Sequence, residues 1–298
     1  MLSIVIPYYK FTFFEAALES LANQTDKRFK VYIGDDASPE NPIQILEKYK
    51  EKLEFKYYRF ETNLGGISLV KQWERCIALS EKEEWLMILG DDDVLGENVV
   101  EEFYKQYEKF KIELNVVRFS SCFIDEKGNQ TSKQYIFPKI ESTVESFLNH
   151  FLELSRSSMS EHIFSRKSYN QNGFVNYPLA WYSDDKAWLD FSECSAIFSI
   201  NEACVFVRIS GENISGKTDN RQLKLISGWQ FCKDIIAQKF KFFSASQKKT
   251  FLFRYGILQI EFDNILVKQT FFIWIQFVKI GSFYDSFRYL RRIFKALK

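Results

Sequence analysis

No Cys-x-x-Cys pair occurs among Cys76, Cys122, Cys194, Cys204 and Cys232. Zinc-ribbon and thioredoxin-like chemistries therefore lack their ligands and their redox couple. No Gly-x-x-x-x-Gly-Lys loop is present, and no Gly-x-Gly-x-x-Gly follows a strand, so P-loop NTPases and Rossmann dehydrogenases lack their phosphate-binding parts. Charge of one sign is missing too: 40 basic side chains against 39 acidic give a net +1, and no overall field draws nucleic acid. The longest apolar stretch, 270–280, is too short to span a bilayer and contains Gln276 and Lys279. Met1-Leu2-Ser3-Ile4-Val5-Ile6-Pro7 starts a strand at once, with no charged leader and apolar core ahead of it. Together with the odd cysteine count, this favours reduced thiols in a cytoplasm. Histidine is limited to His150 and His162, and a lone His on an apolar strand, as at 162, reads as a structural hydrogen-bonder.

What is present suits a globular chain of one large or two small domains: 298 residues, 46% hydrophobic, 27% charged and 17% aromatic. Short apolar runs at 2–6, 29–33, 55–60 and 85–89 read as strands, the first ended by Pro7. Between them, Phe13, Phe14, Ala17, Leu18 and Leu21 recur at helical spacing, and 42–49 and 67–80 read as further helices. This alternation predicts an α/β fold, a parallel sheet with helices on both faces. Downstream, 99–112 reads as a charged surface helix, 115–124 as a strand, 142–154 as a helix and 161–166 as a strand.

The run 85–89 ends in Gly90-Asp91-Asp92-Asp93. Three adjacent carboxylates cannot be buried unpaired. They stand in solvent as a turn or hold a hard cation, Mg²⁺ or Mn²⁺, together with substrate phosphates. Asp35 and Asp36 close another strand, followed by Ala37-Ser38-Pro39. In a parallel sheet both sets fall on one edge, where ligands gather.

Ser3-Ile4-Val5-Ile6-Pro7-Tyr8-Tyr9, Ala17-Leu18-Glu19-Ser20-Leu21-Ala22-Asn23-Gln24-Thr25, Gly34-Asp35-Asp36-Ala37-Ser38, Asn63 and the acidic triplet follow in an order and spacing that resembles family 2 glycosyltransferases of the GT-A fold. The resemblance is tight over 1–100, looser to about 215, and then fades. It implies a GT-A-like nucleotide-binding sheet flanked by helices, with Pro7, Tyr9, Asp35, Asp36, Asn63 and Asp91 against the nucleotide. The triplet stands for the family's Asp-x-Asp metal element. If Asp92 is its second Asp, the first falls on Gly90; if Asp91 and Asp93 are the pair, the frame moves by one. Asp92 is expected as the main Mn²⁺ or Mg²⁺ ligand, supported by Asp91 and Asp93.

Tyr182-Ser183-Asp184-Asp185-Lys186-Ala187-Trp188 resembles the family's catalytic Glu-Asp before a helix, with Ser183 at the Glu and an aromatic four residues after Asp184. Asp184 is then the base that takes the acceptor proton, with Asp185 as the alternative. Ser183 and Asp184 could equally cap the helix. Trp181 and Tyr182 could stack on an acceptor sugar or pack in the core. Val207-Arg208-Ile209-Ser210 corresponds to the family's Arg-x-His, with Ser210 in place of the His. Arg208 could pair with phosphate or stand as a surface cation near Glu202. Gly211 and Gly216 suggest a mobile loop over the nucleotide.

From Leu223 on, the chain reads helical and aromatic. Phe283, Phe287, Leu290, Phe294 and Leu297 fall on one helical face, with Arg288, Arg291, Arg292, Lys295 and Lys298 on another. Such a face lies in an anionic membrane interface, packs on the enzyme's own body, or joins a second copy in a homo-oligomer. The organisation expected is a glycosyltransferase domain at 1–220, with a nucleotide half at about 1–100 and an acceptor half at 101–220, and a helical extension at 221–298. The activity implied is inverting transfer of a sugar from a nucleotide-diphosphate donor, a UDP-sugar by resemblance, to a hydroxyl of a glycan or lipid-linked acceptor in bacterial surface polysaccharide synthesis. The alternatives are a nucleotidyltransferase, which would want a Gly/Arg/Lys-rich loop where Tyr8-Tyr9-Lys10-Phe11 stands, and a non-catalytic partner at a membrane surface.

Overall fold

The computed structural model describes residues 1–211, 220–261 and 266–297. Gly216 of the expected loop and Lys298 of the basic face lie outside the described residues. Nine strands form one sheet in the order β3–β2–β1–β4–β8–β6–β9–β5, with β7 also on β9.

The half built by β1 (Leu2–Tyr8), β2 (Phe29–Asp35), β3 (Phe55–Arg59) and β4 (Trp85–Ile88) is parallel. Its crossovers are α1 (Phe14–Ala22), α2 (Ile43–Tyr49) and α3 (Leu69–Ile77). Side chains alternate across these strands. Leu2, Ile4 and Ile6, with Trp85, Met87 and Leu89, enter the core under α1, α2 and α4 (Val99–Gln106). Val5, Leu86 and Ile88 face the opposite core with Trp73 and Cys76 of α3.

The other half departs from the expected parallel sheet. β8 (His162–Ser165) runs antiparallel to both β4 and β6 (Val116–Ile124). β9 (Ala196–Arg208) is parallel to β6, and β5 (Val94–Leu95) and β7 (Ile140–Ser142) are antiparallel on β9. Parallel neighbours need a helical crossover between them. β1 to β4 each have one, whereas β8 returns to β4 from the far side after a long excursion through α5 (Thr143–Phe151).

Two local expectations are also corrected. Pro7 does not end β1, which pairs with β2 through Tyr8. Val5 and Tyr8 hydrogen-bond to opposite neighbours, through Leu89 N–H and Asp36 N–H. The missing Pro7 N–H therefore points to the β4 side, beyond the last paired register Val5↔Ile88, and no ladder bond is lost. The segment expected as a surface helix over 99–112 stops at Gln106. Its Phe103 is buried with Phe110 against Trp85, at ring separations of 5.8 and 5.3 Å.

β8 leads into α6 (Arg166–Asn172), and beyond β9, α8 (Arg221–Asp234), α9 (Ala245–Glu261), α10 (Val267–Lys279) and α11 (Phe283–Ala296) share a core with α5 and α7 (Ser183–Phe191). Phe147, Phe151 and Leu189 meet Phe231, Phe251, Phe277 and Tyr289 there. On α11 the inward residues are Ser286, Tyr289 and Ile293. Of the predicted apolar stripe, Phe283, Phe287 and Phe294 face outward, 62%, 68% and 62% exposed, while Leu290 packs partly buried on this core. The stripe therefore divides: Tyr289 and Ile293, one turn apart, make the main contact with the body, Leu290 packs beside them, and the Phe residues stay outside. No described helix is long and apolar enough to cross a membrane.

Candidate active site

The C-terminal ends of β2, β1 and β4 lie side by side, and the expected nucleotide residues gather there. Asp35 is fully buried and accepts from Ser38 N–H (2.8 Å), Tyr57 Oη (2.6 Å) and Arg59 (2.8 Å). Asp36 accepts from Leu64 N–H (2.7 Å), Gly65 N–H (2.8 Å) and Arg75. Burial raises the Asp36 pKa, against the lowering effect of those donors. Asn63 Oδ1 accepts from Gly66 N–H at 2.6 Å. Its loop is thus clamped onto the β2 end, and a Cβ at Gly65 would stand 2.5 Å from Asp36 Oδ2. Tyr9, beyond β1, is exposed.

The acidic triplet divides by role. Asp91 Oδ2 accepts from Tyr9 and Lys10 N–H, both at 2.8 Å, and so fixes the loop after β1. Both oxygens of Asp93 are engaged: Oδ1 by Arg208 N–H at 2.9 Å and Oδ2 by Ser160 Oγ at 2.5 Å. Asp92 is the least buried of the three. Gly90 occupies the first position of one Asp-x-Asp frame, and a Cβ there would sit 3.0 Å from both Asp92 Oδ1 and Asp93 Oδ2. The carboxylates lie close to the backbone there, and a side chain at 90 would have to shift them by a few tenths of an ångström.

Burial, and then the charge of Asp92, push Asp91 up to about 6 and Asp93 up to about 7. A cation would offset this accumulation of charge. Among the described residues no three His, Cys, Asp or Glu side chains converge as a ligand set. The oxygen donors fit a hard divalent ion that takes one or two carboxylates and the rest of its ligands from a diphosphate and water.

Arg208 is not a surface cation near Glu202. It is buried at the end of β9, donates to the carbonyls of Asp92 (2.9 Å) and Asp125 (2.6 Å), and lies 4.5 Å over the Phe13 ring. It braces the backbone of the triplet.

Two residues tie the triplet to the second acidic cluster. Ser160 Oγ, besides donating to Asp93, accepts from Gly90 N–H at 3.0 Å. Two residues on, His162 stacks on Trp188 of α7 at 4.2 Å and 16°. Burial holds the His162 imidazole down at about 4. Glu161 between them is fully buried against Arg156, at 2.6 Å. Asp184 and Asp185 occupy the first turn of α7, where the helix dipole favours anions. No side chain caps α7; its cap residue is Tyr182 in a left-handed conformation, φ 68°. Leu179 and Ala180 share that conformation, φ 59° and 54°. Three such residues store roughly 1 kcal/mol each, and Tyr182 is held there by stacking on Phe231 at 4.8 Å. Trp181 is half-buried, with Lys224 Nζ 4.7 Å from its ring centre. Ser68 Oγ donates to Asn176 Oδ1 at 2.7 Å and joins this segment to the loop around Asn63.

The structure thus brings Tyr9, Asp36, Asn63, the triplet and Arg208 to one sheet edge, and the His162–Trp188 stack ties that edge to α7, whose first turn carries Asp184 and Asp185. Sequence reasoning did not single out Ser160, Arg156, Arg75 or His150. His150 Nδ1 lies 2.8 Å from Asp185 Oδ1. No local pattern links these residues to their partners; the scarcity of histidine, two in the chain, was the one signal in the sequence.

Sheet order, the carboxylate turn after β4 and the acidic first turn of α7 define a GT-A glycosyltransferase fold. Two structures of Staphylococcus aureus TarS residues 1–349 align with it. One gives a TM-score of 0.60 at 16% identity over 94% of this chain and 80% of that one; the UDP-GlcNAc complex gives 0.57 at 16% over 96% and 89%. Residues 3–175 match the glycosyl transferase family 2 domain, and the chain belongs to that family. In sequence it is 32% identical over 104 residues to the S. aureus poly(ribitol-phosphate) β-N-acetylglucosaminyltransferase TarS, covering 34% of this chain and 18% of TarS. It is 25% identical over 221 residues to Escherichia coli chondroitin synthase, covering 73% of this chain and 30% of that protein. The chain therefore spans less than a third of the length of either relative.

Proposed function

We propose that this protein is an inverting glycosyltransferase that moves a sugar from a nucleotide-diphosphate donor, a UDP-sugar, to a hydroxyl of a glycan or lipid-linked acceptor in bacterial surface polysaccharide synthesis. The observation that supports this reading is the bridge Asp93–Ser160–Glu161–His162–Trp188, which connects the carboxylate turn after β4 to the helix that begins with Asp184 and Asp185.

Tyr9 and the Asp36–Asn63 loop bind and orient the nucleoside. Asp92, steadied by Asp91 and Asp93, would hold Mn²⁺ or Mg²⁺. When bound, that ion stabilises the charge developing on the diphosphate. Asp184 takes the proton of the acceptor hydroxyl as its oxygen bonds to the anomeric carbon. The bond from that carbon to the diphosphate oxygen breaks on the opposite face, and the electron pair leaves with the nucleoside diphosphate. Burial, and then the charge of Asp185, push Asp184 up to about 7, where a carboxylate is an effective base at neutral pH. Trp181 offers a face on which an acceptor ring stacks. TarS in complex with UDP-GlcNAc supports a UDP-sugar donor. The exposed Phe and Arg face of α11 supports a peripheral site on an anionic cytoplasmic membrane surface, where a lipid-linked acceptor would lie.

Asp184→Asn tests the reading. Sugar transfer should fall below about a thousandth of wild type, while UDP affinity by calorimetry stays unchanged. Near-wild-type turnover would remove Asp184 as the base.

A further inference from the structure

His150 has no role in the reaction just described, yet it touches its centre. It sits in the last turn of α5, and Asp184 and Asp185 sit in the first turn of α7. The carbonyl end of one helix, which favours a cation, meets the amide end of another, which favours anions. Across that junction His150 Nδ1 is 2.8 Å from Asp185 Oδ1, and Asp185 N–H donates to Asp184 Oδ1 at 3.0 Å. Asp185 is 4% exposed, whereas the His150 side chain is 28% exposed and in reach of solvent protons.

We infer that His150 is a positioning residue for proton transfer: held against Asp185, its imidazolium balances the charge beside Asp184 and so sets the pH range over which Asp184 accepts the acceptor proton. This rests on Asp184 being the base.

Burial disfavours the imidazolium, but the charge and hydrogen bond of Asp185, then the charges of Asp184 and Glu161, outweigh it and push His150 up to about 9. Acting on Asp184, the charge of Asp185 raises its proton affinity and His150 lowers it. The other ionisable groups around the junction are His162 at the start of β8, Tyr182 ahead of α7, Arg118 of β6, which donates to Ser146 on α5, and Arg254 of α9, which donates to the Phe151 carbonyl. Without the imidazolium, Asp184 holds its proton to higher pH; without the Asp185 charge, it releases it at lower pH.

Two measurements on the intact protein test the inference. With only two histidines, and His162 titrating near 4, imidazole NMR between pH 5 and 10 follows His150 alone. Its midpoint should lie well above 7 in wild type and fall by about one unit or more in Asp185→Asn. In the pH profile of kcat/KM, His150→Gln should move the acid limb to higher pH, about tenfold lower activity at pH 6.5 for a one-unit move. Asp185→Asn should move the limb to lower pH, and His150→Arg, which keeps a cation, should return it toward wild type. Limbs that shift together or stay put, or a His150 midpoint indifferent to Asp185→Asn, would overturn the inference while leaving Asp184 as base. Turnover in Asp184→Asn would instead sink the reading beneath it.

Discussion

Glu161→Gln is the most informative single change outside the carboxylates. Glu161 is wholly buried, 2.6 Å from Arg156, whose side chain is itself 8% exposed. Arg156 also reaches the hydroxyls of Ser121 and Ser158 and stacks over Phe123 at 4.6 Å. Removing the carboxylate leaves that guanidinium uncompensated in a dry site, a loss of about 3–5 kcal/mol. At about 2–4 °C per kcal/mol, melting should fall by at least ~6 °C. The double variant Arg156→Met with Glu161→Leu removes both charges and should recover most of the loss. Burial alone would raise the Glu161 pKa, but Arg156 and the surrounding donors hold it below the usual glutamate value. The stabilisation is thus present above the unfolded pKa of about 4.3 and is lost as pH falls through the lower folded value. Urea unfolding at pH 7 and at pH 3 should show the gap between wild type and Glu161→Gln narrowing on acidification. Since Ser160 is the next residue, the variant should also weaken transfer by loosening Asp93. A Glu161→Gln protein within about 1 kcal/mol of wild type at pH 7, or a double variant no better than the single, would refute the argument.

Two further outcomes are expected. Asp92→Asn removes the charge that helps raise Asp91 and Asp93. Raised carboxylates lose stability as pH climbs through about 6 to 7. The metal-free variant should therefore be more stable than wild type at pH 8, by about 1 kcal/mol, and should lose the Mn²⁺-dependent thermal shift that wild type is expected to show with UDP; an undiminished Mn²⁺ shift would count against Asp92 as ligand. Phe287→Ser with Phe294→Ser changes two residues that are 68% and 62% exposed. Melting should not move, while cosedimentation with phosphatidylserine-containing vesicles should drop about tenfold and be salt-sensitive; equal binding to neutral vesicles, or by the variant, would rule out the membrane face.

The strand and helix alternation of 1–89 and the carboxylate turn after β4 were legible in the sequence, because period and turn chemistry act over a few neighbouring residues. The same holds for the acidic start of α7. What those carboxylates do was decided elsewhere in the chain. Asp93 is held by Ser160 and Arg208, 67 and 115 positions away, and Asp185 meets His150 across 35. Which aromatic face of α11 turns inward depended on Gly256 of α9, where a Cβ would stand 2.4 Å from Tyr289. A helical period counts apolar residues; it does not show which neighbour leaves room for them. Local sequence fixes what each segment is, while the charge, burial and pairing of its side chains come from the segments folded against it.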